Sequence, residues 1–332
     1  MNYIGSKLKL SNFITDTITT EVGNLENCIY AELFGGTGII ARKLKTTARK
    51  IIVNDTEYYS YVLLKNYLGN NAWFDYEALL KELNHTPPTE GFIFKNYCKG
   101  GEYDRQYFSD DNGRKIDAIR IRIEEWKSHD YINEAQYYFL LASLLESADK
   151  VANTTSQYSA YLKHIKPPAK KPMYITPALF EPSCSAIEVY NHHANTIITQ
   201  IEGDVLYLDP PYNHRQYSSC YHILNTIAIY DTFEPKGKTG LRDYYRSPYS
   251  QKKYAAITFA ELIEKAKFKY IFVSYNNEGL LSLDEMQRIM SAHGDCSVVR
   301  KEYAKFKSSK DINGHLPAQK TTECLHILRK NT

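Results

Sequence analysis

The chain has 332 residues, 43% of them hydrophobic and 24% charged, with a formal net charge of +3. This is the profile of a folded globular protein, large enough for one α/β domain with an insertion or for two modest domains, and it excludes a disordered chain. No run approaches the roughly 20 apolar residues needed to span a bilayer, and the start, Met1-Asn2-Tyr3-Ile4-Gly5-Ser6-Lys7, lacks a signal-peptide core, so a cytoplasmic location is expected.

In chain order, residues 28–33 read as a short buried strand, followed by Phe34-Gly35-Gly36-Thr37-Gly38 and an apolar, helix-compatible stretch at 39–44. A second strand at 50–54 ends at Asp55, and the pattern predicts a helix over 57–68. Strand–turn–helix repeated in this way signals a parallel sheet covered by helices. The alternation then stops. From about 71 to 183 the periodic segments are helical, best at 116–126 and 133–151, and a Pro- and Lys-rich passage at 166–172 breaks regular structure. Alternation resumes with a strand at 205–208 ending in Asp209-Pro210-Pro211-Tyr212. Helices are expected at 221–230, 258–266 and 282–292, a strand at 270–274, and a closing pair of strands at 297–303 and 323–328.

The glycine turn after the first strand lets the backbone approach a ligand with no side chain in the way. Asp55, about twenty residues beyond it, stands where an acidic residue can bond a ribose hydroxyl. No G-K-[ST] follows, so this is not a P-loop. Asp209-Pro210-Pro211-Tyr212 ends a strongly apolar strand, where open α/β sheets place their active sites. Two successive prolines stiffen the backbone and remove two donors. The Asp209 carboxylate and the Pro210 carbonyl can then accept hydrogen bonds from one –NH2 group, while Tyr212 offers a face to a planar base. Lys7, in Tyr3-Ile4-Gly5-Ser6-Lys7, can neutralise a carboxylate.

Lys236, Lys238, Arg242, Arg246, Lys252 and Lys253 share one stretch with Tyr244, Tyr245, Tyr249 and Tyr254. Interleaved bases and aromatics suit phosphate contact and base stacking, with a solvated surface loop as the alternative. Arg105, Arg114, Lys115, Arg120 and Arg122 are candidate phosphate or base contacts, with ordinary surface charges as the equal alternative. Six cysteines without a C-x-x-C pair point to reduced thiols. The adjacent His192 and His193 are not at metal-ligand spacing, and no metal is expected.

Together these features resemble the Dam-like, alpha-group N6-adenine DNA methyltransferases of restriction–modification systems. In that family a basic N-terminal motif, a glycine-rich motif, a helical target-recognition insertion and D-P-P-Y follow one another in this order. The chain is most similar to a branch of small adenine-specific methylases beginning M-N-Y-I-G-S-K. That branch also looks similar around Gly91 to Cys98, Lys238-Thr239-Gly240-Leu241-Arg242 and Ser274-Tyr275-Asn276-Asn277-Glu278-Gly279.

The resemblance implies a Rossmann-like α/β fold, a mostly parallel seven-stranded sheet with an antiparallel edge hairpin. Residues 1–70 and 185–332 would form the catalytic domain and 71–184 the helical target-recognition insertion. The implied cofactor is S-adenosylmethionine, with Tyr3 and Lys7 near it and Lys7 on its carboxylate. Glu32 (often aspartate in the family), Phe34, Gly35, Gly36, Thr37 and Gly38 would cradle the methionine and ribose portions, with Asp55 on the ribose hydroxyls. Where many relatives carry an acidic residue ahead of Ala-Asn, this chain reads His192-His193-Ala194-Asn195. Recognition of the cofactor's adenine there would rest on backbone groups, His193 or Asn195. Asp209, Pro210, Pro211 and Tyr212 would carry the reaction, with Asp209 also facing the cofactor and Tyr217 forming another pocket wall.

The implied chemistry is direct methyl transfer to a flipped adenine in DNA. Tyr217, Lys238, Arg242, Arg105 and Arg120 would be DNA contacts, and a cognate restriction endonuclease encoded nearby a further partner. Three alternatives stay open on the residues alone. An RNA adenine methyltransferase more often has N-P-P-Y, and a cytosine-amine methyltransferase usually has S-P-P-Y. A non-catalytic binding module of the same fold would be favoured only by the histidine pair.

Overall fold

The inner strands of the parallel half alternate between two buried faces, which is why each reads as an apolar run. The computed structural model describes residues 6–183, 185–304 and 320–331. Within them, β1 (Ile29–Glu32), β2 (Lys50–Asn54), β3 (Ala186–Tyr190), β4 (Glu202–Leu208), β5 (Lys267–Asn276), β6 (Gly294–Ala304) and β7 (Lys320–Lys330) form one sheet. The order is β3-β2-β1-β4-β5-β7-β6, with the last two antiparallel. Tyr30, Ile51, Val53, Val205, Tyr207, Tyr270 and Phe272 face one side, while Ala31, Ile52, Leu206, Leu208, Ile271 and Val273 face the other. The fold is thus the Rossmann-like, mostly parallel seven-stranded sheet with an antiparallel edge hairpin that the resemblance implied.

Helices α1 (Ser11–Val22) and α2 (Ile39–Leu44) cover the first face. Between β2 and β3 the chain runs through α3 (Tyr58–Leu64), α4 (Glu77–His85), α5 (Phe92–Tyr97), α6 (Asp110–Ser128) and α7 (Glu134–Val151). After β3 come α8 (Ala194–Ile197), α9 (Tyr217–Cys220), α10 (His222–Ile229), α11 (Lys252–Lys265) and α12 (Leu283–Ser291), of which α8, α11 and α12 cover the second face. Helices α5 to α7 do not form a separate body, because their apolar side chains share one core with Tyr59, Val62 and Leu63 of α3 and with Ile223, Leu224 and Ile227 of α10.

Several boundaries differ from the sequence pattern. The helix expected over 57–68 ends at Leu64 and passes into a π-helical turn, Lys65–Gly69. The helix expected from 258 begins at Lys252. Helix α1 was not anticipated, since Thr, Ile and Val are weak helix formers. Tertiary burial of Ile14 and Ile18 overrides that propensity. Strand β3 was missed because it lies half-exposed at the sheet edge and lacks a clean alternation.

The sheet order reverses between β1 and β4, and the turns leaving their carboxyl ends open onto a common crevice. The glycine turn is held shut by Gly35 N–H donating to Asn54 O at 2.9 Å and Gly38 N–H donating to Gly35 O at 2.6 Å. Only glycine fits at Gly35, where a Cβ would lie 2.8 Å from Val53 Cγ2 and 2.9 Å from Leu64 Cδ1. We expect Gly35→Ala to cost about 1–3 kcal/mol of stability, read as a lower urea midpoint at unchanged m-value. An unchanged midpoint would contradict this packing.

Candidate active site

The crevice at the switch point holds a cavity of about 270 Å³. Its floor is Phe34 from the glycine turn and Asp55 from the end of β2, and Asp209 and Pro211 from the end of β4 form one flank. His193, Asn195, Tyr217 and the segment around Tyr245 and Tyr249 complete its lining.

Each polar group is held in place. Asp55 accepts from Gly36 N–H at 2.7 Å and from Glu57 N–H at 2.8 Å, so the acid at the end of β2 and the glycine turn fix each other. Glu32 turns toward the start of α2 and accepts from Ala41 N–H at 3.0 Å and from the Tyr30 hydroxyl at 3.3 Å. Asn195 donates to Thr258 O and Glu261 Oε2 and accepts from the Tyr249 hydroxyl at 2.6 Å. Phe34 meets Tyr249 edge to face at 5.2 Å, and the His193 ring lies 3.9 Å from that of Tyr245. The result is an aromatic slot with carboxylates at one end.

That carboxylate end is organised by a buried ammonium. Lys7 Nζ stands 3.0 Å from Asp209 Oδ1 and 3.0 Å from Glu323 Oε1 of β7. Burial alone would lower the Lys7 pKa. The charges of Asp209 and Glu323 outweigh it and hold the group well above its ordinary range. Asp209 keeps 18% of its side chain exposed, toward the cavity. The dense protein around it still pushes its carboxyl up to about 6, opposed by Lys7 and reinforced by Glu323. Burial likewise raises Asp55 to about 7 and Glu32 to about 8, against the hydrogen bonds they accept. Tyr212 lies with its ring centroid 5.8 Å from Lys7 Nζ and edge-on to Tyr275, its carbonyl accepting from Leu280 N–H at 2.8 Å.

Most of the residues singled out from the sequence therefore surround one cavity or its rim. Phe34, Asp55, His193, Asn195, Asp209, Pro211 and Tyr217 line it, with Pro210 buried at its edge. Gly35, Gly36, Thr37 and Gly38 form the turn that carries Phe34. Tyr3 lies outside the described residues.

Two expected DNA contacts are corrected. Arg105 is 4% exposed, and its guanidinium donates to the carbonyls of Asn96, Pro235, Gly237 and Lys238. Arg120 is 3% exposed and donates to Ile227 O and Ala228 O at the end of α10 and to Glu124. Both act inside the protein, where carbonyl dipoles satisfy a buried cation. Arg114, Lys115 and Arg122 are also engaged, with Glu90, with the carbonyls of Asn84 and Thr86, and with Glu125. Arg242 forms a two-pronged pair with Asp231 at 3.1 and 3.0 Å. Lys238 is exposed near the tip of a short hairpin closed by paired 2.8 Å bonds between Lys236 and Leu241.

The sequence reading missed Glu323, which lies in no motif. It also assigned Tyr245 and Tyr249 to a nucleic-acid surface, whereas both wall the cavity.

Comparison with known proteins bears on what the cavity serves. Residues 3–289 match the profile of the D12 class N6 adenine-specific DNA methyltransferases. The chain is 53% identical over 332 residues to the type II methyltransferase M.NlaIII of Neisseria lactamica, covering 99% of both. It is 34% identical over 318 residues to the type II methyltransferase M.CviAII of Paramecium bursaria Chlorella virus 1, covering 93% of both. With the type II methyltransferase M.FokI of Planomicrobium okeanokoites the identity is 38%, over 93% of this chain and 50% of that one.

The raised carboxyls make ligand binding pH-dependent with a defined sign. A cationic ligand favours the ionised forms of Asp55 and Asp209, at about 7 and about 6, so binding releases protons below neutrality. We expect affinity for S-adenosylmethionine to rise about three- to tenfold between about pH 5.5 and 8. Calorimetry in two buffers of different ionisation enthalpy measures the protons released. Proton uptake, or affinity falling as pH rises, would contradict the electrostatics.

Proposed function

Because the chain belongs to the D12 class of N6 adenine-specific DNA methyltransferases, we propose that its cavity takes S-adenosylmethionine and that Asp209, Pro210 and Tyr212 hold the target adenine. The enzyme uses this cofactor to methylate the exocyclic amine of adenine at a specific DNA sequence. The observation that carries the residue assignment is the place of Asp209. It ends the central strand β4 at the cavity wall, paired with Lys7 through Oδ1 at 3.0 Å and still 18% exposed.

The residues present fit the cofactor. Carboxylates outnumber the one buried ammonium, which suits a ligand of net positive charge. The aromatic slot between Phe34, His193, Tyr245 and Tyr249 suits a purine, and Asp55 suits a ribose. Lys7 would meet the methionine carboxylate while remaining on Asp209, with Gly35, Gly36, Thr37 and Gly38 providing the turn. Glu32 supports that turn through Ala41. When bound, S-adenosylmethionine supplies an electrophilic methyl group.

The protein's own work is positioning and electrostatics. An exocyclic aromatic amine is a poor nucleophile, because its lone pair is delocalised into the ring. Asp209 Oδ2 and the Pro210 carbonyl accept its two hydrogens, favour a tetrahedral nitrogen and turn the lone pair toward the methyl group. Asp209 would take one N6 proton and pass it to solvent, the electron pair of the methyl–sulfur bond staying with sulfur as the N–C bond forms. The amine is inaccessible inside a duplex, so the base is turned out and held against Tyr212, with Tyr217 as a second wall.

An open groove of about 890 Å³ adjoins the cavity, sharing Thr56, Glu57, Ser218 and Tyr245 with it. We place the duplex along this side, with 71–184 as the target-recognition part and Lys238 as a contact. Arg242, which lines the groove, reaches DNA only by exchanging Asp231 for phosphate. Arg105 stiffens the hairpin that presents Lys238. The type II designation of the relatives supports a companion restriction endonuclease encoded nearby. No helix among the described residues is long and apolar enough to cross a membrane, which accords with a cytoplasmic enzyme.

Asp209→Ala is the test. With tritiated S-adenosylmethionine and unmethylated genomic DNA, wild-type protein should label N6-methyladenine. The variant should lose at least about a thousandfold in rate while largely keeping cofactor binding. Near wild-type turnover in the variant would refute the assignment.

A further inference from the structure

Glu323 lies beyond the family-matched segment, which ends at residue 289. Its side chain is nevertheless 1% exposed and stands as close to Lys7 as Asp209 does. The sheet puts it there. Strand β7 pairs with β5, β5 pairs with β4, and Glu323 falls on the face of Leu325 and Ile327. Tyr207 and Ser274, joined by a 2.9 Å hydrogen bond, belong to that same face.

Burying a second carboxylate against one ammonium needs a reason, since Asp209 alone would neutralise Lys7 and an extra buried charge is costly. Among the described residues no other cation forms an ion pair with it. Lys301, opposite Glu323 on β6, carries its ammonium over the Phe13 ring. Among the described residues Lys7 is the ion-pair partner of both carboxylates. The other titratable groups around the triad are Glu32 from β1, Tyr207 from β4, Tyr212 beyond it and Tyr217 from α9, with the charge of the exposed Arg215 acting on Tyr212. Glu323 therefore shares the ammonium with Asp209. Lys7 sits midway, 3.0 Å from Asp209 Oδ1 and 3.0 Å from Glu323 Oε1, and Asp209 keeps part of its carboxylate exposed at the cavity.

We propose that Glu323 is a positioning residue for methyl transfer: by holding Lys7 between two carboxylates it keeps the ammonium off Asp209 Oδ2, leaving that oxygen to accept from the target amine. This rests on the assignment of Asp209 above. Without Glu323 the ammonium is drawn wholly to Asp209, which ionises more readily and becomes the weaker acceptor.

The test is the pH dependence of kcat for tritium transfer to DNA, at saturating cofactor, for wild type, Glu323→Gln and Glu323→Asp. Glu323→Gln should lower kcat about 10- to 100-fold and move the acid limb to lower pH. Glu323→Asp, which keeps the charge, should leave the limb in place. Limb position does not depend on the fraction of protein folded, so a merely structural role would not move it. Transfer by wild type, with Glu323→Gln on the wild-type limb, overturns this proposal alone. Absence of transfer to adenine by wild type overturns the functional assignment and this proposal with it.

Discussion

One ammonium ties three distant parts of the chain into a working site. Lys7 comes from the N-terminal segment, Asp209 from the end of the central strand and Glu323 from the closing hairpin, and the three meet in the protein interior. Breaking such a pair on one side leaves an uncompensated buried charge, which is far more costly than the pair is stabilising. The arrangement therefore demands that the N-terminal segment, the parallel core and the antiparallel edge be correctly docked before Asp209 has its proper environment. In this way the edge hairpin, remote from the cavity in sequence, becomes part of the chemistry.

The excess of carboxylate over cation has a second consequence. Glu32, Asp55, Asp209 and Glu323 cluster around the switch point with Lys7 as their buried cation, and burial raises the first three. Such a site is poised for a cationic ligand and is less suited to the same ligand once its charge is lost. Methyl transfer removes the sulfonium charge of S-adenosylmethionine, so the electrostatics that favour substrate cofactor also favour release of the spent one. In the proposed assignment the aromatic slot of Phe34, Tyr245, His193 and Tyr249 would add affinity that does not depend on that charge.

Much of this was legible in the residues. The apolar runs at β1, β2, β4 and β5, each with a turn of special chemistry at its end, fixed the parallel core and the place of the cavity, because both depend on local spacing. Contacts made across the fold were not legible. Glu323 carries no local mark and gains its meaning only from β5–β7 pairing. Arg105 and Arg120 looked like surface cations, since nothing nearby in sequence announces that main-chain carbonyls from the segments around residues 96, 227 and 237 converge on them. Tyr245 and Tyr249 were noticed, but the side of the molecule they face is a tertiary fact. Strand β3, half-exposed at an edge, left too weak a pattern to read.

The central claim is that the charge of Lys7 sets the ionisation of Asp209, and Lys7→Met tests it most directly through the pH profile of kcat at saturating cofactor. Removing the cation leaves Asp209 beside Glu323 with nothing opposing burial, so the acid limb should move to higher pH. An acid limb that stays in place, or moves to lower pH, would contradict the account.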